Sequence, residues 1–180
     1  MTQSASPGPL AGIKVLELGT LIAGPFCARM LAEFGAEVIK IETPGSGDPI
    51  RQWRVLKDGT SLWWSVQARN KKSLTLNLKD ARGRAIARQL ALEADIIIEN
   101  YRPGVLEKWE LGYAQLQAVK PATIMVRLSG FGQTGPMRTC PASAPSASRW
   151  AGCATCPATP TGRRCGSACR SATRWRRCTG

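Results

Sequence analysis

The chain predicts an α/β fold built on a mainly parallel sheet, and three observations carry that expectation. A strand, a helix and a second strand follow one another within 13–42, the spacing of a βαβ unit. The run "DIIIEN" at 95–100 is apolar without alternation, as in a strand buried on both faces. Strand-like runs also stop in segments rich in Gly or Pro, the residues that mark loops.

The first strand is "IKVLELG" at 13–19, a short apolar run ending in glycine. "GPFCARMLAEFGA" reads as a helix with Pro25 near its start, Phe26, Met30, Leu31 and Phe34 at helical spacing, and Gly35 as its stop. "EVIKIE" at 37–42 is the second strand, and "TPGSGDPIRQW" at 43–53 is a loop. "KSLTLNL" at 72–78 alternates, which puts Leu74, Leu76 and Leu78 on one face of a half-exposed strand. "DARGRAIARQLALEA" at 80–94 is an amphipathic helix with Asp80 as N-cap and Ile86, Ala87 and Leu90 turned inward. After "DIIIEN" come one or two short helices and a further buried strand in "ATIMVRLSGFG" at 122–132. Ligands of such sheets bind beyond the carboxyl ends of the strands. "GTLIAGP", "ETPGSGD", "ENYRPG" and "SGFGQTGP" are therefore expected on one rim.

The net charge of +13 suggests a nucleic acid or an anionic membrane until it is divided. Residues 1–137 hold 17 Lys and Arg against 12 Asp and Glu, whereas 138–180 hold 8 against none. The basicity belongs mostly to the tail, and six of the 7 cysteines lie there as well. No nucleic-acid partner is expected for the body. A start of "MTQSASPGPL" has neither the basic nor the apolar region of a secretory signal, and no apolar run approaches a membrane span. The body reads as a thiol-poor, cytoplasmic domain with no membrane association.

Several chemistries are excluded. The chain has no histidine, so Ser-His and Cys-His catalysis and histidine metal sites are absent from it. "GTLIAG" is not the dinucleotide fingerprint, and no Walker-type phosphate loop occurs. "LIAGPF" offers small residues at a helix start, which suits backbone approach to a phosphate but equally a plain helix start. Asn100 and Tyr101, at the end of "DIIIE", suit a nucleobase or amide-bearing ligand, with a simple turn cap as the alternative. Arg69, Lys71 and Lys72 read as a solvated turn. Cys27 reads as packing. Glu17, Glu42, Asp48 and Glu99 lie near the rim, none with a visible partner that would mark an acid or base.

Three stretches then carry a resemblance: "LAGIKVLELGTLIAGPFCARMLAEFGAEVIKIETPGSGDPIR", "NKKSLTLNLKDARGRAIARQLALEADIIIENYRPGVLEKWELGY" and "SGFGQTGP". In order and spacing, from about Leu10 to Met137, they resemble the class III CoA-transferases, which include formyl-CoA, carnitine and bile-acid CoA-transferases. The resemblance implies a Rossmann-like domain over 11–137, with helices on both faces of the sheet, after a flexible start at 1–10. It implies an acyl-CoA and a carboxylic acid as substrates, no separate cofactor, and a homodimer of interlocked subunits. Family members are about twice this length, so the chain reads as an N-terminal fragment. Matched position by position, Ile22 and Ala23 fall near the adenine, and Leu76 and Lys79 hold the nucleotide. Asn100, Tyr101 and Lys108 match further CoA contacts. Many members carry Gln where Ile22 stands here, which bears on the acyl group accepted. A racemase-type member of the family would need His, which this chain lacks.

The family's nucleophile is an Asp in a "GDS"-like segment downstream of "GFGQTGP"; it attacks the thioester to give a mixed anhydride. No Asp follows Asp95. From Arg138 onward there is also no Val, Ile, Leu, Met, Phe or Tyr. Such a segment cannot bury enough apolar area to offset its ordering entropy, so 138–180 is expected to be a disordered, basic, Cys-rich tail. A one-base frame change near Arg138 accounts for the shift in composition. Re-read one base back with suitable third bases, the tail gives "IGDSLAAL", with the Asp drawn from the codons of Ala172 and Thr173. The rival readings are a zinc knuckle from Cys153, Cys156, Cys165 and Cys169, and an RNA-binding tail. The cysteine pairs are closely spaced and have nothing apolar to pack around a metal, so no metal site is expected.

Overall fold

The computed structural model describes residues 8–138. The expected tail, with Ala172 and Thr173, and most of the start expected to be flexible lie outside the described residues. Contacts divide the chain after Leu128. The first unit holds a five-stranded, wholly parallel sheet in the spatial order 71–75, 37–42, 14–17, 96–99 and 124–127. Its strands are β1 (Lys14–Glu17), β2 (Glu37–Glu42), β5 (Lys71–Thr75), β6 (Ile96–Glu99) and β7 (Ile124–Arg127). A small antiparallel hairpin, β3 (Leu56–Lys57) and β4 (Thr60–Ser61), stands apart from it. The helices are α1 (Ala23–Glu33), α2 (Leu62–Gln67), α3 (Ala81–Glu93), α4 (Val105–Lys108) and α5 (Tyr113–Gln117).

The chain leaves β1 toward β2 and β5 on one side, then crosses back to β6 and β7 on the other. That order makes the β1/β6 border the switch point of a doubly wound, Rossmann-like sheet. Alternation along the strands supplies two cores. Val15, Val38 and Ile98 pack with Ala28 and Ala32 of α1 on one face. Leu16, Ile41 and Ile97 pack with Ala87 and Ala91 of α3 and with Leu106, Leu111 and Leu116 on the other. Ile97 and Ile98 are fully buried, each contributing about 1.5–3 kcal/mol by removal from water.

Four expectations about faces and burial are corrected. Helix α1 buries Gly24, Ala28 and Ala32, while Phe26 and Phe34 are exposed. Helix α3 likewise buries Gly83, Ala87 and Ala91 and leaves Ile86 exposed, although Asp80 caps it as expected, accepting from the Arg82 N–H at 2.7 Å. Both helices press their small residues on the sheet, which lets the backbones approach closely. Strand β7 is an edge strand, only partly buried, and β5 at the opposite edge ends at Thr75 with Leu74 exposed. Leu76 and Leu78 follow β5 and join the second core rather than a strand face.

In the second unit, 129–138 is a run of turns and bends in which Gly132 and Gly135 take positive φ. There Gln133 Nε2 donates to the Ser129 hydroxyl at 3.2 Å.

Candidate functional site

The rim at the switch point is built around the β1–α1 turn, 18–22. Gly19 and Gly24 touch: a Cβ on either would stand 2.8 Å from the other's Cα, so only glycine fits at both. Between them Leu21 takes φ 63°, a left-handed conformation that side chains disfavour. The turn is held from outside. Asn100 clamps Thr20 with its whole amide, Oδ1 accepting from Thr20 N–H and Nδ2 donating to Thr20 C=O, both at 2.8 Å. Asp48 Oδ1 accepts from the Leu21 N–H at 3.0 Å.

Beneath the turn lies a buried ionic network. Lys40 Nζ donates to Glu17 Oε1 at 2.7 Å and to the Gly19 C=O at 2.8 Å, and pairs with Asp48 Oδ2 at 2.7 Å. Lys71 Nζ pairs with Glu17 Oε2 at 2.7 Å and donates to the Pro25 C=O at 2.7 Å. Two ammonium groups thus face two carboxylates, all four side chains essentially without solvent contact. Burial pulls the Lys71 ammonium below its ordinary pKa, against the opposing pull of Glu17. The same surroundings push the Cys27 thiol up, through burial and then Glu17, which fits packing rather than reactivity.

Lys71 was expected in a solvated turn. Its buried position is a correction, explained by the Glu17 carboxylate that waits for it on β1. Lys72 and Arg69 do remain on the surface, against Glu37 and Glu33.

Glu42 ends β2 and takes a two-point fork from Arg51, Nε to Oε2 at 2.7 Å and Nη2 to Oε1 at 2.8 Å. Arg51 in turn lies 3.6 Å over the Trp64 ring. Burial pushes the Glu42 carboxyl up, but Arg51, Ser73 and the Asp48 N–H outweigh it and hold it at about 2. A folded pKa below the unfolded one adds stability above about pH 4.5 that is lost as pH falls toward 2. The contribution at neutral pH is up to roughly 3 kcal/mol. Urea unfolding at stepped pH should therefore show the parent losing stability across that window, and Glu42→Gln losing distinctly less. Equal slopes in the two chains would contradict this assignment.

On the other side of the switch point, Glu99 accepts from Arg127 Nε at 2.7 Å and from the Tyr101 N–H at 2.8 Å. Arg127 also pairs with Glu107 at 2.7 Å. Tyr101 lies edge-on to Trp109, and burial, with Glu99 and Asp48 nearby, pushes its phenol up to about 12. It is therefore a neutral hydroxyl at physiological pH.

All seven residues singled out for ligand contact lie at or beyond the carboxyl ends of the parallel strands. Ile22 caps α1 and Ala23 begins it, both exposed. Leu76 follows β5, its N–H bonded to the Glu42 C=O, and shares a core cluster with Tyr101. Lys79 and Lys108 are exposed and make no ion pair among the described residues. The Asn100 amide is spent on Thr20, which makes it a clamp of the turn before anything else. Sequence reasoning missed Lys40, Lys71, Arg51 and Arg127, the partners of the four rim carboxylates. Lys40 could have been found, because an ammonium between two isoleucines of a buried strand demands a counter-charge.

The sheet is doubly wound, with a glycine-tight turn at its switch point. The model of CoA-transferase family III matches residues 10–171, continuing past Met137, where the resemblance quoted above ends. The chain belongs to CoA-transferase family III. It is 53% identical over 139 residues to succinyl-CoA–D-citramalate CoA-transferase of Chloroflexus aurantiacus, covering 77% of this chain and 35% of that one. It is 44% identical over 130 residues to human succinyl-CoA:glutarate CoA-transferase, covering 72% and 30%. Among solved structures, a CAIB/BAIF family protein from Brucella suis matches with TM-score 0.70 and 37% identity, over 74% of this chain and 36% of that one. Rv3272 of Mycobacterium tuberculosis matches with TM-score 0.77 and 35% identity, over 87% and 43%. The chain spans about a third of the length of the curated relatives it matches. Among the described residues no helix is long and apolar enough to cross a membrane.

Proposed function

We propose that this chain carries the CoA-binding rim of a cytoplasmic transferase that moves CoA from an acyl-CoA to a carboxylic acid. The observation that supports this most is family membership at 53% identity, joined to a rim with two exposed ammonium groups that make no ion pair among the described residues. The relatives named for succinyl-CoA act with citramalate, malate and glutarate, all small dicarboxylic acids. Succinyl-CoA and such an acid are the substrates proposed here.

In this reading Ile22 and Ala23 flank the adenine, and Leu76 and Tyr101 wall the nucleotide. Lys79 and Lys108 meet phosphates, to which an ammonium is suited as a mobile point charge. Asn100 shapes the turn and offers its remaining acceptor capacity. The complete enzyme works through an Asp carboxylate that attacks the acyl-CoA carbonyl and expels CoA thiolate. The thiolate then attacks the aspartyl carbonyl of the resulting anhydride, releasing the donor acid and leaving an enzyme-bound thioester. The acceptor carboxylate displaces the thiolate to form a second anhydride, and thiolate attack on its acceptor acyl carbon gives the new acyl-CoA and frees the Asp. Two interlocked subunits complete the assembly. The nucleophile is lost here through a one-base frame change near Arg138, and DNA whose alternative frames past that codon do not encode the "IGDSLAAL" continuation would overturn that part.

The ammonium roles are tested by Lys79→Ala in the 180-residue chain. CoA should bind about tenfold more weakly, about 1.4 kcal/mol, with a shallower salt dependence. Unchanged affinity and salt slope would remove Lys79 from the site.

A further inference from the structure

Five backbone groups of the β1–α1 turn and the first turn of α1 are held by side chains from other elements, all buried except the half-buried Asn100. Gly19 C=O is held by Lys40, the Thr20 peptide by Asn100, Leu21 N–H by Asp48, and Pro25 C=O by Lys71. Burying two ion pairs is a weak route to stability, since apolar residues of similar size often serve as well or better. The charges do something apolar residues cannot, which is to hold backbone donors and acceptors at fixed positions.

Asp48 is the centre of this arrangement. It is 2% exposed, and Oδ1 accepts from both Leu21 N–H at 3.0 Å and Ile50 N–H at 2.9 Å. Oδ2 faces Lys40 at 2.7 Å, and its own N–H donates to Glu42 Oε2 at 2.8 Å. One carboxylate therefore ties the loop after β2 to the one strained residue of the β1–α1 turn, directly before Ile22 and Ala23. A left-handed leucine with no Cβ-free alternative relaxes once its N–H anchor is removed.

We propose that Asp48 is a positioning residue for CoA: it holds Leu21 left-handed and thereby sets Ile22 and Ala23 in the shape that receives the ligand. This rests on the CoA reading of the rim. An amide at position 48 cannot serve both sides, because its NH₂ must face either Lys40 or the two backbone N–H groups.

The test measures CoA affinity and amide hydrogen exchange at Leu21 in the 180-residue chain. Asp48→Asn should weaken CoA about tenfold and speed Leu21 exchange. Adding Leu21→Gly, which makes the left-handed backbone free of strain, should recover most of the affinity. A merely structural role for Asp48 would not respond to that second change. Should Asp48→Asn fail to fold, Lys40→Met/Asp48→Asn removes one charge of each sign and leaves Glu17 paired with Lys71. The same two readouts and the same Leu21→Gly recovery are then expected. Unchanged affinity, a still-protected Leu21 amide, or no recovery with glycine each overturns the proposal. Absence of CoA binding by the parent chain instead overturns the CoA reading itself; the exchange rates then decide whether Asp48 anchors the turn.

Discussion

The 180-residue chain should give no CoA-transferase turnover, with a loss on the order of 10⁶-fold relative to a chain that carries the proposed nucleophile. The reason is visible on both sides of the missing Asp. No Asp follows Asp95, so the anhydride route has no carboxylate where the family resemblance puts one. The carboxylates at the described rim cannot stand in. Glu17 faces two lysines, Asp48 is divided between Lys40 and two backbone N–H groups, and Glu99 is shared by Arg127 and Tyr101 N–H. Glu42 lies in the Arg51 fork at a pKa of about 2, a basicity too low for a good nucleophile. The assay pairs this chain with a version whose frame is repaired and extended. Turnover by the unrepaired chain would show that the nucleophile lies elsewhere.

Lys40→Ala should destabilise the fold by about 3–5 kcal/mol, the cost of leaving a buried ion pair half-made. Glu17 and Asp48 would then share a buried space with Lys71 as their one ammonium, and the Gly19 C=O would lose its donor. Against a typical total of about 5–15 kcal/mol, that is a large share of the stability. Lys40→Met, combined with Asp48→Asn, should cost clearly less, because no charge is orphaned. Urea unfolding of the three chains checks both statements. A loss under about 1 kcal/mol for Lys40→Ala would mean that water reaches the network and screens it.

Much of the scaffold was legible because its determinants are local. "EVIKIE" is β2 to the residue, and Asp80 announces α3 because a cap acts within its own turn. What escaped depends on distance across the sheet. Phe26 and Ala28 both suit a helix face, and the choice falls to the small residue only because the sheet lies so close to α1. Edge or centre position, which decides the exposure of β7, is a property of strand order and leaves no mark within "IMVR". At the rim, Asn100 and Tyr101 were found from their place after a buried strand. Lys71 was not, because its partner Glu17 lies far away in sequence and meets it only once β5 is laid beside β2.

This rim is proposed to receive CoA. Titrating the purified 180-residue chain with CoA by calorimetry, with RNA as a parallel ligand, tests it most directly. The expected result is saturable one-to-one CoA binding that weakens with salt, since phosphate contacts carry part of the affinity. RNA binding without CoA binding would contradict it, and would assign the chain's charge to its eight tail arginines instead.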